Sequence, residues 1–262
     1  MRRLYLRLAV TCTLVLASAC SGPPANSGFP TNASALPPAA RGSHSGSLPS
    51  QLLFVPTEQG SINVYPLQDP NSSGPITQIT GLTGGQQHMV VDANNDLFVV
   101  NNGASAGDDF VSEYAPPYTS PPAILNTVWM GEIFFPIGVA VDADGTVYVS
   151  DCGGYCLETP AVFVYPPGAT SPSKALTSSK FSSLAGLAID PHGDLYVVNW
   201  NATTFAVDVF KMRAGSTTFR PMRLLGLDTG NGGNGLSFDA SGNLYVAATS
   251  SGANYILEYK PG

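Results

Sequence analysis

The stretch GVAVDADGTVYVSD, residues 138–151, decides the fold. Val139 and Val141 alternate with Gly138 and Ala140, and Val147-Tyr-Val149 returns with β-branched and aromatic residues, the pattern of two paired strands. Between them Asp142-Ala-Asp-Gly145 supplies a turn in which Gly145 can take a positive φ at little cost. The same text recurs as MVVDANNDLFVVNN (89–102), GLAIDPHGDLYVVNW (186–200) and GLSFDASGNLYVAATS (235–250). The turn aspartates, Asp92, Asp142, Asp190 and Asp239, lie 50, 48 and 49 residues apart, the period of a propeller blade.

Outward from these hairpins, a third-strand signature ending in an aromatic appears five times, at Tyr65, Tyr114, Tyr165, Phe210 and Tyr259. Weaker outer strands follow the first four, near residues 76–80, 124–128, 174–177 and 221–225, where prolines and charges suit a sheet edge. The expectation is an all-β propeller of about five four-stranded blades over residues 51–262, with a six-bladed or incompletely closed ring as the alternatives. Counting gives 18 strands, with the innermost strand of the first blade and the outermost of the fifth missing. Residues 40–50 could supply a poor inner strand, closure could be loose, or the chain could be a shortened relative of a larger propeller.

Composition agrees. Charged residues are only 11% of the 262, beside 28 Gly and 22 Pro, a mixture for short strands and tight turns with little room for long amphipathic helices. Residues 1–19 read as a signal peptide, with Arg2, Arg3 and Arg7 ahead of the apolar run Leu8–Leu16 and a small-residue ending, Ala17-Ser-Ala19. Cys20 then stands where a bacterial lipoprotein is lipidated, although Leu16 lies one place further upstream than usual. Residues 21–50, of which Ser, Pro, Ala and Gly make up 22, read as a flexible tether to a membrane anchor. The expected address is the bacterial cell envelope, outside the cytoplasm, or secretion if Cys20 is not lipidated. Without the leader the chain carries 8 basic against 18 acidic residues, a net charge of −10 that repels phosphate backbones, so no nucleic-acid partner is expected. Against that balance Lys211, Arg213, Arg220 and Arg223 cluster in the fourth repeat, read as a protected strand edge.

With its three partners, DADGTVYVSD…AVFVYPPG resembles the NHL-repeat propellers and their relatives, among them the gluconolactonase-like family and the streptogramin lyases, over about residues 51–262. The resemblance implies that the innermost strands start at a top face, so that the aspartate turns lie at the bottom and are structural. It also implies that Gln87, Ile137, Ala185 and Asn234 face the pore at the top. Gluconolactonase-like enzymes place metal ligands at comparable positions, but Ile137 and Ala185 offer no oxygen to a hard cation, so neither a metal nor another cofactor is expected. Glu58 and Glu132 stand in no matching motif.

Seven further residues complete the candidates. His88, beside Gln86 and Gln87, is the one histidine placed at the mouth to act as acid, base or polar rim, and it keeps lyase chemistry open. The ends of the second strands bring Asn101, Asp151 and Asn199, with Trp200 after them, into one ring with Thr57 and Ala248. Asn101, Asp151, Asn199 and Trp200, with His88 and Asn234, are the candidate ligand contacts. Cys152 and Cys156, as Cys-Gly-Gly-Tyr-Cys, are expected to form a disulfide in an exported chain. Because few acids and bases converge at the mouth, the functional expectation is a non-catalytic module that binds a protein or small ligand at its top face and meets the membrane only through the anchor. A lactonase-like hydrolase or a lyase at the same mouth is the alternative.

Overall fold

The computed structural model describes residues 52–57, 60–67, 74–82, 85–102, 109–119, 121–125, 127–129, 132–133, 135–152, 159–201, 206–222, 235–250 and 253–261. Among these residues every regular element is a strand. The strands form a five-bladed propeller, each sheet paired in chain order. The first blade holds β1 (Leu52–Pro56), β2 (Ile62–Pro66) and β3 (Thr77–Ile79). The second holds β4 (Gly85–Val91), β5 (Leu97–Asn102), β6 (Phe110–Tyr114) and β7 (Ala123–Leu125). After a small hairpin, β8 (Val128–Trp129) with β9 (Glu132–Ile133), the third blade holds β10 (Pro136–Val141), β11 (Val147–Asp151), β12 (Ala161–Tyr165) and β13 (Lys174–Thr177). The fourth has β14 (Leu184–Ile189), β15 (Leu195–Asn201), β16 (Ala206–Met212) and β17 (Arg220–Met222). The fifth has β18 (Leu236–Phe238), β19 (Leu244–Ser250) and β20 (Ala253–Tyr259).

The two gaps in the strand count are therefore real among the described residues: the first and fifth sheets are three-stranded. The β8–β9 hairpin is the element that the repeat did not announce, because two-residue strands carry no periodicity to read.

Alternation along each second strand glues blade to blade. On β11, Val147 and Val149 pack against the second blade while Tyr148 packs against the fourth; on β15, Leu195 and Val197 face the third blade while Tyr196 and Val198 face the fifth. Such strands are buried on both faces, which is why they read as nearly unbroken apolar text. Four apolar cores result, joining blades one to two, two to three, three to four and four to five. Among the described residues no such core joins the fifth blade to the first. Leu53 and Val55 on β1 are each 37% exposed, and Ile256 on β20 is 44% exposed.

The bottom turns explain the aspartates. Asp142 Oδ1 accepts the backbone N–H groups of Asp144 (3.0 Å) and Thr146 (2.8 Å), and its Oδ2 accepts the Tyr148 hydroxyl at 3.2 Å. Asp190 and Asp239 repeat the set with Tyr196 and Tyr245. In the second blade Phe98 has no hydroxyl, and Asn94 Nδ2 donates to Asp92 Oδ2 instead, at 3.1 Å. Gly145 (φ 83°) makes the reversal, and Asn95 (φ 66°) does so in the second blade.

Candidate functional site

The end of the propeller opposite these turns is where the inner strands begin. Three of those strands carry an irregularity in the same place: between Gln86 and His88 on β4, between Pro136 and Gly138 on β10, and between Leu184 and Leu187 on β14. Bulges re-aim side chains at the rims of sheets. The residues they set aside are Gln87, Ile137 and Ala185 with Gly186, three of the four expected at the pore. The fourth, Asn234, lies outside the described residues.

Immediately below the bulge the inner strands come very close. A Cβ on Gly138 would sit 2.7 Å from the Ala185 carbonyl oxygen, 2.9 Å from Ser150 Oγ and 3.1 Å from Gly186 Cα. Ser150 Oγ bridges this seam, accepting the Gly138 N–H at 2.9 Å and donating to the Ala185 carbonyl. The repeats carry glycine here three times, as Gly138, Gly186 and Gly235, and the second blade carries His88. Its Nδ1 accepts the Val139 N–H of the third blade at 3.4 Å, so the histidine spans the preceding seam. With Nδ1 engaged as an acceptor, the proton of the neutral ring resides on Nε2. Burial lowers the His88 pKa from its ordinary 6.5, which favours that neutral form. Aligning the repeats residue by residue would have exposed His-for-Gly as the informative substitution.

The ring at the ends of the second strands is present, but it lies beneath the surface. Asn101 and Asn199 are fully buried and Asp151 nearly so. Asp151 Oδ1 accepts the Phe135 N–H at 2.9 Å, and Asn199 Oδ1 accepts those of Ser182 (2.7 Å) and Ser183 (3.3 Å). Each thus ties down the segment leading into the first strand of its own blade. Asn101 instead donates through Nδ2 to the Val99 carbonyl (3.1 Å) and Ser112 Oγ (2.9 Å). Asn101 Oδ1, Asn102 Oδ1 and Asn199 Nδ2 are buried with no hydrogen bond among the described residues. Trp200, half-buried, packs against the fourth-to-fifth core, and its backbone N–H donates to the Ser183 carbonyl at 2.7 Å. The structure therefore brings His88, Asn101, Asp151, Asn199 and Trp200 to one end of the propeller. Of these, His88 and Trp200 are partly exposed.

For a divalent cation this set is a poor fit. Ile137 and Ala185 supply no oxygen, and the Asp151 carboxylate is buried against a backbone N–H. Cys152 is buried and disulfide-bonded; Cys156, its expected partner, lies outside the described residues, as does Cys20.

Neither a sequence profile of a known family nor any individual curated protein matches the chain. Solved structures do. A candidate gluconolactonase superposes with a TM-score of 0.54 at 16% identity, over 80% of this chain and 77% of that one. A gluconolactonase from Xanthomonas campestris gives 0.51 at 18% identity, over 78% and 73%. A protein of unknown function from Bacteroides caccae gives 0.51 at 9%, over 80% and 72%. The chain is a propeller with gluconolactonase-like structural neighbours. At these identities the likeness establishes the fold.

This finding corrects the functional expectation. The scarcity of acids and bases at the mouth argued for a non-catalytic module, yet the propellers that share this architecture over four fifths of the chain include gluconolactonases. The described polar residues at this end are buried amides, one buried carboxylate, and a partly exposed indole and imidazole.

Proposed function

We propose that this protein is a propeller hydrolase of the lactonase type, working at the top-face mouth on a sugar-derived or similar cyclic ester. The observation that carries the reading is the superposition on gluconolactonase propellers across most of the domain. Lactone opening adds water to an ester carbonyl, and charge develops on the carbonyl oxygen in the transition state. A neutral histidine with its proton on Nε2 is a hydrogen-bond donor suited to that oxygen. His88 is held in that form by the Val139 N–H and by burial. The Trp200 indole offers an apolar wall of the kind that a sugar ring packs on. Because the described mouth does not fit a hard cation, no step is assigned to one.

The same proposal places the enzyme outside the cytoplasm, exported by residues 1–19 and anchored by a lipidated Cys20, on the support of the charged, apolar and small-residue order of the leader. Hydrolysis of gluconolactone followed by pH-stat, with the uncatalysed rate subtracted, tests the activity. A rate indistinguishable from the blank across a panel of aldonolactones would refute it.

A further inference from the structure

At the foot of the fourth blade, away from the mouth, Lys211 on β16 stands directly opposite Arg220 on β17. Like charges facing each other across an antiparallel pair are destabilising. The outermost pairs of the second and third blades avoid this: Glu113 faces Ala123, and Val164 faces Lys174. Two carboxylates answer Lys211, with Asp194 at 2.7 Å and Asp190 at 3.6 Å, and its Nζ lies 4.9 Å from the Tyr196 ring centroid. Arg220 and Arg213 are exposed, and among the described residues neither has a carboxylate within ion-pair distance. Both line a groove of about 400 Å³ with Ser216, Thr218, Pro221 and Met222. The connecting turn is internally fixed: Ser216 N–H donates to the Arg213 carbonyl at 2.9 Å, Thr218 N–H donates to Ser216 Oγ at 3.1 Å, and Gly215 takes φ 72°.

Pro221 alone would protect this edge from pairing. A concave cluster of two exposed arginines with two hydroxyls beside them does more than protection requires, and it does so on a chain whose net charge repels anions. We propose that this groove is a binding site for a phosphate-type oxyanion, gripped by Arg213 and Arg220 with the Ser216 and Thr218 hydroxyls as further donors. With Lys211 already answered by Asp194 and Asp190, a bound anion would balance the charge that Arg220 adds opposite it. The same chemistry serves a free phosphate ester and an anionic lipid headgroup.

The test is a titration of the mature chain, labelled with ¹³C at its methionine methyls, with inorganic phosphate at constant ionic strength. Met222, assigned through Met222→Leu, should shift saturably while Met89, packed on β4 against the core between the first and second blades, does not. The double variant Arg213→Gln with Arg220→Gln should bind roughly tenfold or more weakly. If that variant does not fold, Ser216→Ala with Thr218→Ala should weaken binding in the same assay. Vesicles separate the sources: the Cys20→Ser chain sedimenting with phosphatidylglycerol but not phosphatidylcholine identifies a lipid headgroup, whereas response to phosphate alone identifies a free ester. No saturable Met222 shift together with no preference for anionic vesicles would overturn the site. So would arginine or hydroxyl variants that fold and bind like the parent.

Discussion

His88 Nδ1 accepts the Val139 backbone N–H at 3.4 Å, a side chain of the second blade reaching the inner strand of the third at a position where the other repeats keep glycine. The bond fixes a tautomer, and the burial that accompanies it makes stability depend on pH. The folded-state pKa of His88 is lowered, so the unfolded chain takes up its proton first as pH falls. His88 should therefore contribute fully above about pH 6.5, the ordinary histidine value, and its contribution should decline as pH drops below it. Thermal melts of wild type and His88→Gly between pH 5 and 8 check this. The variant, which restores the repeat's own glycine, should remain folded with a flatter acid limb.

Gly138→Ala should destabilise by about 1–3 kcal/mol, because its new Cβ meets a backbone carbonyl of the next blade, which cannot move aside as a flexible side chain would. Denaturant unfolding measures it. A neutral result would show that the third and fourth blades can separate at the top without loss.

In the bottom turn, Asp142→Ala removes the acceptor of two backbone N–H groups and the Tyr148 hydroxyl. A loss of about 1–3 kcal/mol is expected, with hydrolysis per folded molecule unchanged. Tyr148→Phe should cost less and should remove a phenol whose pKa is pushed up to about 12 by burial and by the Asp142 carboxylate, a change visible in spectrophotometric titration.

Asp151→Ala and Asn199→Ala each free backbone N–H groups that lead into an inner strand. Each should lower the melting temperature, by roughly 2–4 °C per kcal/mol lost in a domain of this size. If either instead abolishes lactone opening without changing the melt, these side chains contact substrate, and their structural role is secondary.

How much of this was legible beforehand divides along physical lines. Asp142 and Gly145 announced their turn because a local reversal needs a particular φ and a particular acceptor, and both are visible within four residues. The two missing strands were legible because a repeat makes absence countable. The roles of Asp151 and Asn199 were not, since the groups they satisfy, Phe135 and Ser182, lie 16 and 17 residues away and carry no signature. Tyr118 was missed for the same reason. With φ 68° its ring lies 5.3 Å from that of Phe54 in the first blade and its hydroxyl donates to the Asn95 carbonyl at 2.8 Å, contacts that only the packed blades create.

Catalysis at the mouth is the central claim, and comparing lactone hydrolysis by wild type and His88→Gly under conditions where both are folded tests it most directly. The account predicts measurable turnover of gluconolactone by the wild type and a fall in kcat of roughly a hundredfold in the variant, the scale for loss of one donor to a developing oxyanion. Wild-type protein with no rate above the blank, or a folded His88→Gly variant that hydrolyses as fast as the parent, would contradict it.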